Sequence, residues 1–173
     1  MKTIIKALLV SILSATLLTA CDRGRQPIFD KSLIGKAAPD FSLPQLGKVE
    51  PLKLTDHKGK LVVLNFWASW CPPCREEMPT FIKVQKQYGG EKFTILGVSI
   101  EDKEDVQRYA DEIKINYPVT YGQDAASKIA TVYGDPDGAL PYTVLISPQQ
   151  QVLDIYTGVI KEAQFEEILK KHL

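Results

Sequence analysis

The pentapeptide Trp70-Cys71-Pro72-Pro73-Cys74 stands where one hydrophobic pattern gives way to another. Before it, Leu61 to Phe66 (LVVLNF) is a short β-rich apolar run without alternation, the pattern of a strand buried on both faces. After it, from Cys74 to Tyr88, Met78, Phe81, Ile82, Gln85 and Tyr88 recur at helical spacing, and a second apolar run, Phe93 to Ile100 (FTILGVSI), follows. Strand, helix and strand in succession make a βαβ unit. The chain is therefore predicted to build an α/β sheet with parallel strands and to carry both cysteines at a strand-to-helix junction.

Downstream, Lys103 to Ile113 and Asp124 to Tyr133 are predicted helices, separated by an extended piece near Tyr117 to Tyr121 where Pro118 forbids a continuous helix. Tyr142 to Ile146 and Gln151 to Tyr156 are predicted strands joined by the Pro148-Gln149-Gln150 turn, hence antiparallel. The last element, Glu162 to His172, is a helix that buries Phe165, Ile168 and Leu169 and ends with Lys170 and Lys171 at the negative end of its dipole.

The front of the chain is of another kind. Lys2 and Lys6 precede the uncharged run Ala7 to Ala20, the charged-then-apolar order of a secretory signal peptide. That run is too short for a bilayer, which needs about 20 apolar residues. Residues 1–20 are read as the signal peptide, 21–36 (through DRGRQPIFDKSLIGK) as a polar tether without helical or strand period, and 37–173 as the folded domain. Sixteen residue steps from Cys21 to Ala37 reach about 50 Å fully extended. Loss of residues 1–20 takes two of the 21 basic side chains and none of the 21 acidic ones, leaving a net charge of −2. Such a balance gives no footprint for nucleic acid.

The dipole of the predicted helix would favour thiolate over thiol at Cys71, its first-turn nucleophile, while Cys74 turns inward to act as resolving partner. A static disulfide and half of a zinc site are the other uses of such a pair. Zinc would want two further ligands, and His57 and His172 have no ligand spacing. No metal or other cofactor is expected.

Three resemblances sharpen this reading. Leu18-Thr19-Ala20-Cys21 resembles the lipobox of bacterial lipoproteins, which implies a lipid on Cys21; Asp22 then resembles an inner-membrane retention signal. The stretch Asn65-Phe66-Trp67-Ala68-Ser69-Trp70-Cys71-Pro72-Pro73-Cys74-Arg75-Glu76-Glu77-Met78-Pro79 resembles the active-site segment of TlpA/ResA-type thioredoxin-like proteins. The likeness runs from Ala38-Pro39-Asp40-Phe41 to the C-terminal helix, about 135 of 173 residues. It implies a thioredoxin fold, a central mixed sheet flanked by helices, with Glu101 to Tyr121 as that group's helix-and-strand insertion. Leu140-Pro141-Tyr142-Thr143 resembles the loop whose cis-proline faces the disulfide, and Pro79 stands where a proline kinks the active-site helix.

The resemblance also implies an activity. Relatives of this kind reduce disulfides on exported proteins, apocytochrome c maturation being the best-known task, and draw electrons from a membrane thiol carrier of the DsbD or CcdA kind. The place is the membrane surface facing the periplasm, or the outside in a single-membrane bacterium. Thioredoxin has a buried aspartate where this chain has Asn65, so a proton acceptor for Cys74 is missing there. Glu77, one helical turn past Cys74, is a candidate replacement, with a solvated glutamate like its neighbour Glu76 as the alternative. Pro72 and Pro73 have no N–H to offer the Cys71 sulfur, and no histidine stands between the cysteines; both point to a reductant.

Two other functions compete. A peroxiredoxin-like peroxidase also opens with Ala38-Pro39-Asp40-Phe41, but its P-x-x-x-T/S-x-x-C pattern meets Leu64 and Ala68 before Cys71. A copper-binding thioredoxin-like metallochaperone pairs C-x-x-x-C with a distant histidine, and this chain has C-x-x-C with no histidine between His57 and His172.

Overall fold

The computed structural model describes residues 29–173. A short antiparallel hairpin, β1 (Ser42–Leu43) with β2 (Leu52–Lys53), leads into the βαβ unit: β3 (Leu61–Trp67), α1 (Pro72–Tyr88) and β4 (Phe93–Ser99). Then come α2 (Lys103–Ile113), β5 (Val119–Thr120), α3 (Gln123–Val132), β6 (Tyr142–Ile146), β7 (Val152–Thr157) and α4 (Glu162–His172). The order across the five-stranded sheet is β5-β4-β3-β6-β7. β3 runs parallel to β4, with Leu61 opposite Phe93 and Trp67 opposite Ser99, and antiparallel to β6, with Phe66 opposite Tyr142. The sheet is thus mixed, as the thioredoxin fold requires.

Every residue of β3 and β4 is buried because both faces of the sheet are covered. Leu61, Val63 and Trp67 face one core with Met78, Phe81 and Val84 of α1 and Phe165, Ile168 and Leu169 of α4. The Phe81 and Phe165 rings meet edge to face at 5.1 Å. Val62, Leu64 and Phe66 face the other core with Ala126 and Ala130 of α3 and Phe41, Tyr133 and Tyr142. The period-2 geometry of β3 therefore divides one apolar run between two helical layers.

The hairpin β1–β2 was not foreseen, since two-residue strands carry no periodic signal. The segment expected as the end of a tether differs more. From Phe29 on it is packed against the domain: Phe29 stacks on Tyr142 at 5.7 Å, and Phe29 and Leu33 lie against the second core. The Asp30 N–H donates to the Gly134 carbonyl at 2.9 Å, Gly35 N–H to Val152 at 2.8 Å, and Val152 N–H to Lys36 at 2.9 Å. Gly134 has φ of +100°, and a Cβ there would lie 2.2 Å from the Asp30 carbonyl oxygen, so glycine is required. Two apolar side chains in a polar segment escape periodicity, yet they suffice to dock it. The proposed signal peptide and Cys21 lie outside the described residues. Among those described, no helix is long and apolar enough to cross a membrane.

Candidate active site

Cys71 is the N-cap of α1, and Pro72 and Pro73 occupy its first positions, where a missing N–H costs nothing. Cys74 supplies the first N–H the helix has to offer, and it donates to the Cys71 sulfur at 3.3 Å. A sulfur here does what a serine or aspartate oxygen does at an ordinary N-cap. The two cysteines are joined as a disulfide, with Cα atoms 5.3 Å apart. Cys74 is wholly buried, as expected, but Cys71 is only 4% exposed, less open than a helix-end nucleophile was expected to be. The Cys71 N–H bonds back to Ala68 at 3.2 Å, drawing the residue into the core. Trp70 beside it stands out at 65% exposure.

Below the disulfide lies a buried polar cluster. Glu77, one turn past Cys74, is fully buried, while Glu76 is exposed. Its Oε1 accepts from the Asn65 side-chain nitrogen at 2.7 Å, and its Oε2 from the Ile160 N–H at 3.2 Å. Burial drives the Glu77 pKa up to about 7, against the opposing pull of the hydrogen bonds from Ile160 and Asn65. Asn65 spends its nitrogen twice, donating also to the Thr143 hydroxyl at 3.0 Å. Asn65 thus stabilises a carboxylate as a neutral donor, where an aspartate would repel one.

Thr143 comes from the loop singled out in sequence. The Leu140–Pro141 peptide bond is cis, and the register that puts Tyr142 opposite Phe66 carries Pro141 to the end of the sheet where the Cys71 loop begins. Pro79 lies inside α1. The structure therefore gathers Asn65, Cys71, Cys74, Glu77 and Pro141 at one end of the sheet, from β3, α1 and the approach to β6. Thr143 and Ile160 were missed as partners of Asn65 and Glu77. The first lay in a quoted motif, and the second acts through a backbone N–H that no residue type announces.

Known proteins resemble this chain over most of its length. The AhpC/TSA family model matches residues 34–155. The thiol-disulfide oxidoreductase ResA of Geobacillus thermodenitrificans (strain NG80-2) is 33% identical over 174 residues, covering 100% of this chain and 92% of the relative. The chain belongs to the ResA-type thiol-disulfide oxidoreductases of the AhpC/TSA family. ResA of Bacillus subtilis (strain 168) is 30% identical over 97% of this chain and 89% of its own. Among solved structures, a thiol:disulfide interchange protein of the thioredoxin family from Chlorobium tepidum TLS superposes with a TM-score of 0.70 at 30% identity, covering 78% of this chain and 94% of that one. The fold is that of thioredoxin, and this ResA-type chain is a thiol-disulfide oxidoreductase with a Cys71–Cys74 disulfide at the start of α1.

Proposed function

We propose that the protein is a lipid-anchored, extracytoplasmic reductant of disulfides in exported proteins, with apocytochrome c as its candidate client and a membrane thiol carrier of the DsbD or CcdA kind as its electron donor. The reduced Cys71 thiolate attacks one sulfur of the client disulfide, forms a mixed disulfide and expels a client thiolate, which takes up a proton. Cys74 then gives up its proton, attacks the Cys71 sulfur and releases the second client thiolate. The client gains two electrons, and the enzyme is left as the Cys71–Cys74 disulfide.

The observation that carries this reading is Glu77. A carboxyl that changes protonation near pH 7, one turn past Cys74 on the same buried face, suits the proton acceptor that the resolving step needs. Two features support the reducing direction: Pro72 and Pro73 offer the Cys71 sulfur no N–H, and among the described residues only Cys74 N–H reaches it. The anchor rests on Leu18 to Cys21 and the short apolar run before it.

Three experiments test it. Cys74→Ser should leave Cys71 covalently joined to its client, and recovery of the adduct names that client. Redox equilibration against dithiothreitol should place the pair nearer thioredoxin's potential of about −270 mV than the −120 mV or so of DsbA. A value near the latter, with an acidic Cys71, would falsify the reducing direction. Labelling with a fatty-acid precursor that survives Cys21→Ser would remove Cys21 as the anchor.

A further inference from the structure

A second buried glutamate lies on the other side of the redox loop. Glu101 follows β4, is 7% exposed, and its carboxylate sits under the turn that delivers Cys71. Oε2 accepts the Ser69 backbone N–H at 2.5 Å and the Ser99 hydroxyl at 3.1 Å; Oε1 accepts the Ser69 hydroxyl at 2.7 Å. Two of the three donors therefore belong to one residue, two positions before Cys71. The Glu101 backbone is held as well, since its carbonyl accepts the Gly122 N–H at 2.9 Å at the start of α3. On its other side runs a groove lined by Trp70, Ile100, Glu101, Asp102, Asp105 and Gln123, so the loop clamped by Glu101 also walls open surface through Trp70, the residue before Cys71.

Tying a turn to a strand end takes only neutral groups, whereas a buried carboxylate carries a desolvation cost that three hydrogen bonds must offset. Its placement has two effects that a neutral tie would not combine. The paired bonds to Ser69 fix the backbone entering Trp70 and Cys71, and a negative charge bonded to the residue two positions before Cys71 would oppose formation of its thiolate. We propose that Glu101 is a positioning residue for Cys71: it holds the Ala68–Trp70 turn in the geometry for thiol-disulfide exchange and biases the pair toward the reducing side. This needs only the exchange activity of the family. It stands apart from the client, the anchor and the role of Glu77.

The test compares Glu101→Gln, Glu101→Ala and Ser69→Ala in the full-length protein. The probes are reduction of oxidised glutathione and of insulin, thiolate absorbance against pH, equilibrium with dithiothreitol, and a urea titration that shows each variant folded under assay. Glu101→Ala should slow exchange with both disulfides by about tenfold or more while folded. Glu101→Gln, whose amide can still accept from Ser69 N–H and donate to its hydroxyl, should restore most of that loss. Both should lower the Cys71 pKa by about half a unit and shift the dithiothreitol equilibrium toward the reduced enzyme, because a negative charge has gone. Should Glu101→Ala not fold, Glu101→Gln still decides through its thiolate titration, and Ser69→Ala through its rate. Wild-type rates in folded Glu101→Ala or in Ser69→Ala, rate loss that only follows the unfolded fraction, or an unmoved Cys71 titration would each overturn the proposal.

Discussion

Two glutamates flank the redox loop, both buried and both hydrogen-bonded, yet their surroundings differ in kind. Glu101 lies at the end of β4 and takes three donors from two serines, two of them hydroxyls free to rotate toward it. Glu77 lies in the middle of a helix, among apolar side chains, with two donors of fixed direction from Asn65 and the Ile160 backbone. Burial outweighs those two and carries its pKa to about 7. The same residue type thus sits among three donors at a strand end in one place and between two donors inside a helix in another. For Glu77 the outcome is set by the depth of burial against only two donors.

The largest test of this contrast is Glu77→Gln, which should slow disulfide exchange by about a hundredfold, the lower end of general acid–base contributions, and remove the inflection near pH 7 from the rate profile. Stopped-flow reduction of a small disulfide across pH 5 to 9 reads both. A profile that keeps its inflection would put the titrating group elsewhere.

Stability should separate the two sites next. The folded pKa of Glu77 is raised from 4.5 to about 7, so between those values the native chain holds a proton that the unfolded chain has released. The contribution is complete below pH 4.5 and is lost as pH rises through 7, an effect of about 3 kcal/mol. Urea titrations of the oxidised protein at pH 5 and pH 8 should show that decline; Glu77→Gln should flatten it and Glu101→Gln should leave it in place.

A smaller effect follows from Asn65. Asn65→Ala removes the donor at 2.7 Å and leaves Glu77 the Ile160 N–H alone, so the inflection should move up by about one unit, the worth of one hydrogen bond to a charged group. A downward shift would mean that water admitted by the truncation solvates the carboxylate better than Asn65 does. Smallest of all, Glu76→Gln on the exposed side of α1 should change rate and stability by no more than about 0.5 kcal/mol in either measure.

Most of the architecture was legible because apolar runs report burial directly. Leu61 to Phe66 and Phe93 to Ile100 could only be strands covered on both faces, and Lys103 to Ile113 and Glu162 to His172 have the observed bounds. The cysteine pair was legible for a related reason: a strand-to-helix junction is a local feature, and Pro72 and Pro73 mark the helix start. Glu77 was visible only as one turn past Cys74, and its burial depended on contacts from β3 and the approach to α4 that lie 12 and 83 residues away. Glu101 was less visible still. It stands just before a helix rich in charge, where an acid has an ordinary place near the N-terminus, and its partner Ser69 is 32 residues distant. Phe29 and Leu33 were lost for the opposite reason, as isolated apolar residues in a polar setting whose docking depends on Tyr142 and Gly134.

That docking bears on where the chain first meets the domain. Phe29 and Asp30 are clasped by Tyr142 and Gly134 at the end of the sheet where β3 runs into the Cys71 loop, so the chain joins the domain at its reactive end. Eight residue steps separate Cys21 from Phe29, a reach of about 25 Å at full stretch rather than the 50 Å or so that a tether ending at Ala37 would give. The first described contacts of the chain thus fall on Tyr142, next to the cis-proline Pro141, and on Gly134.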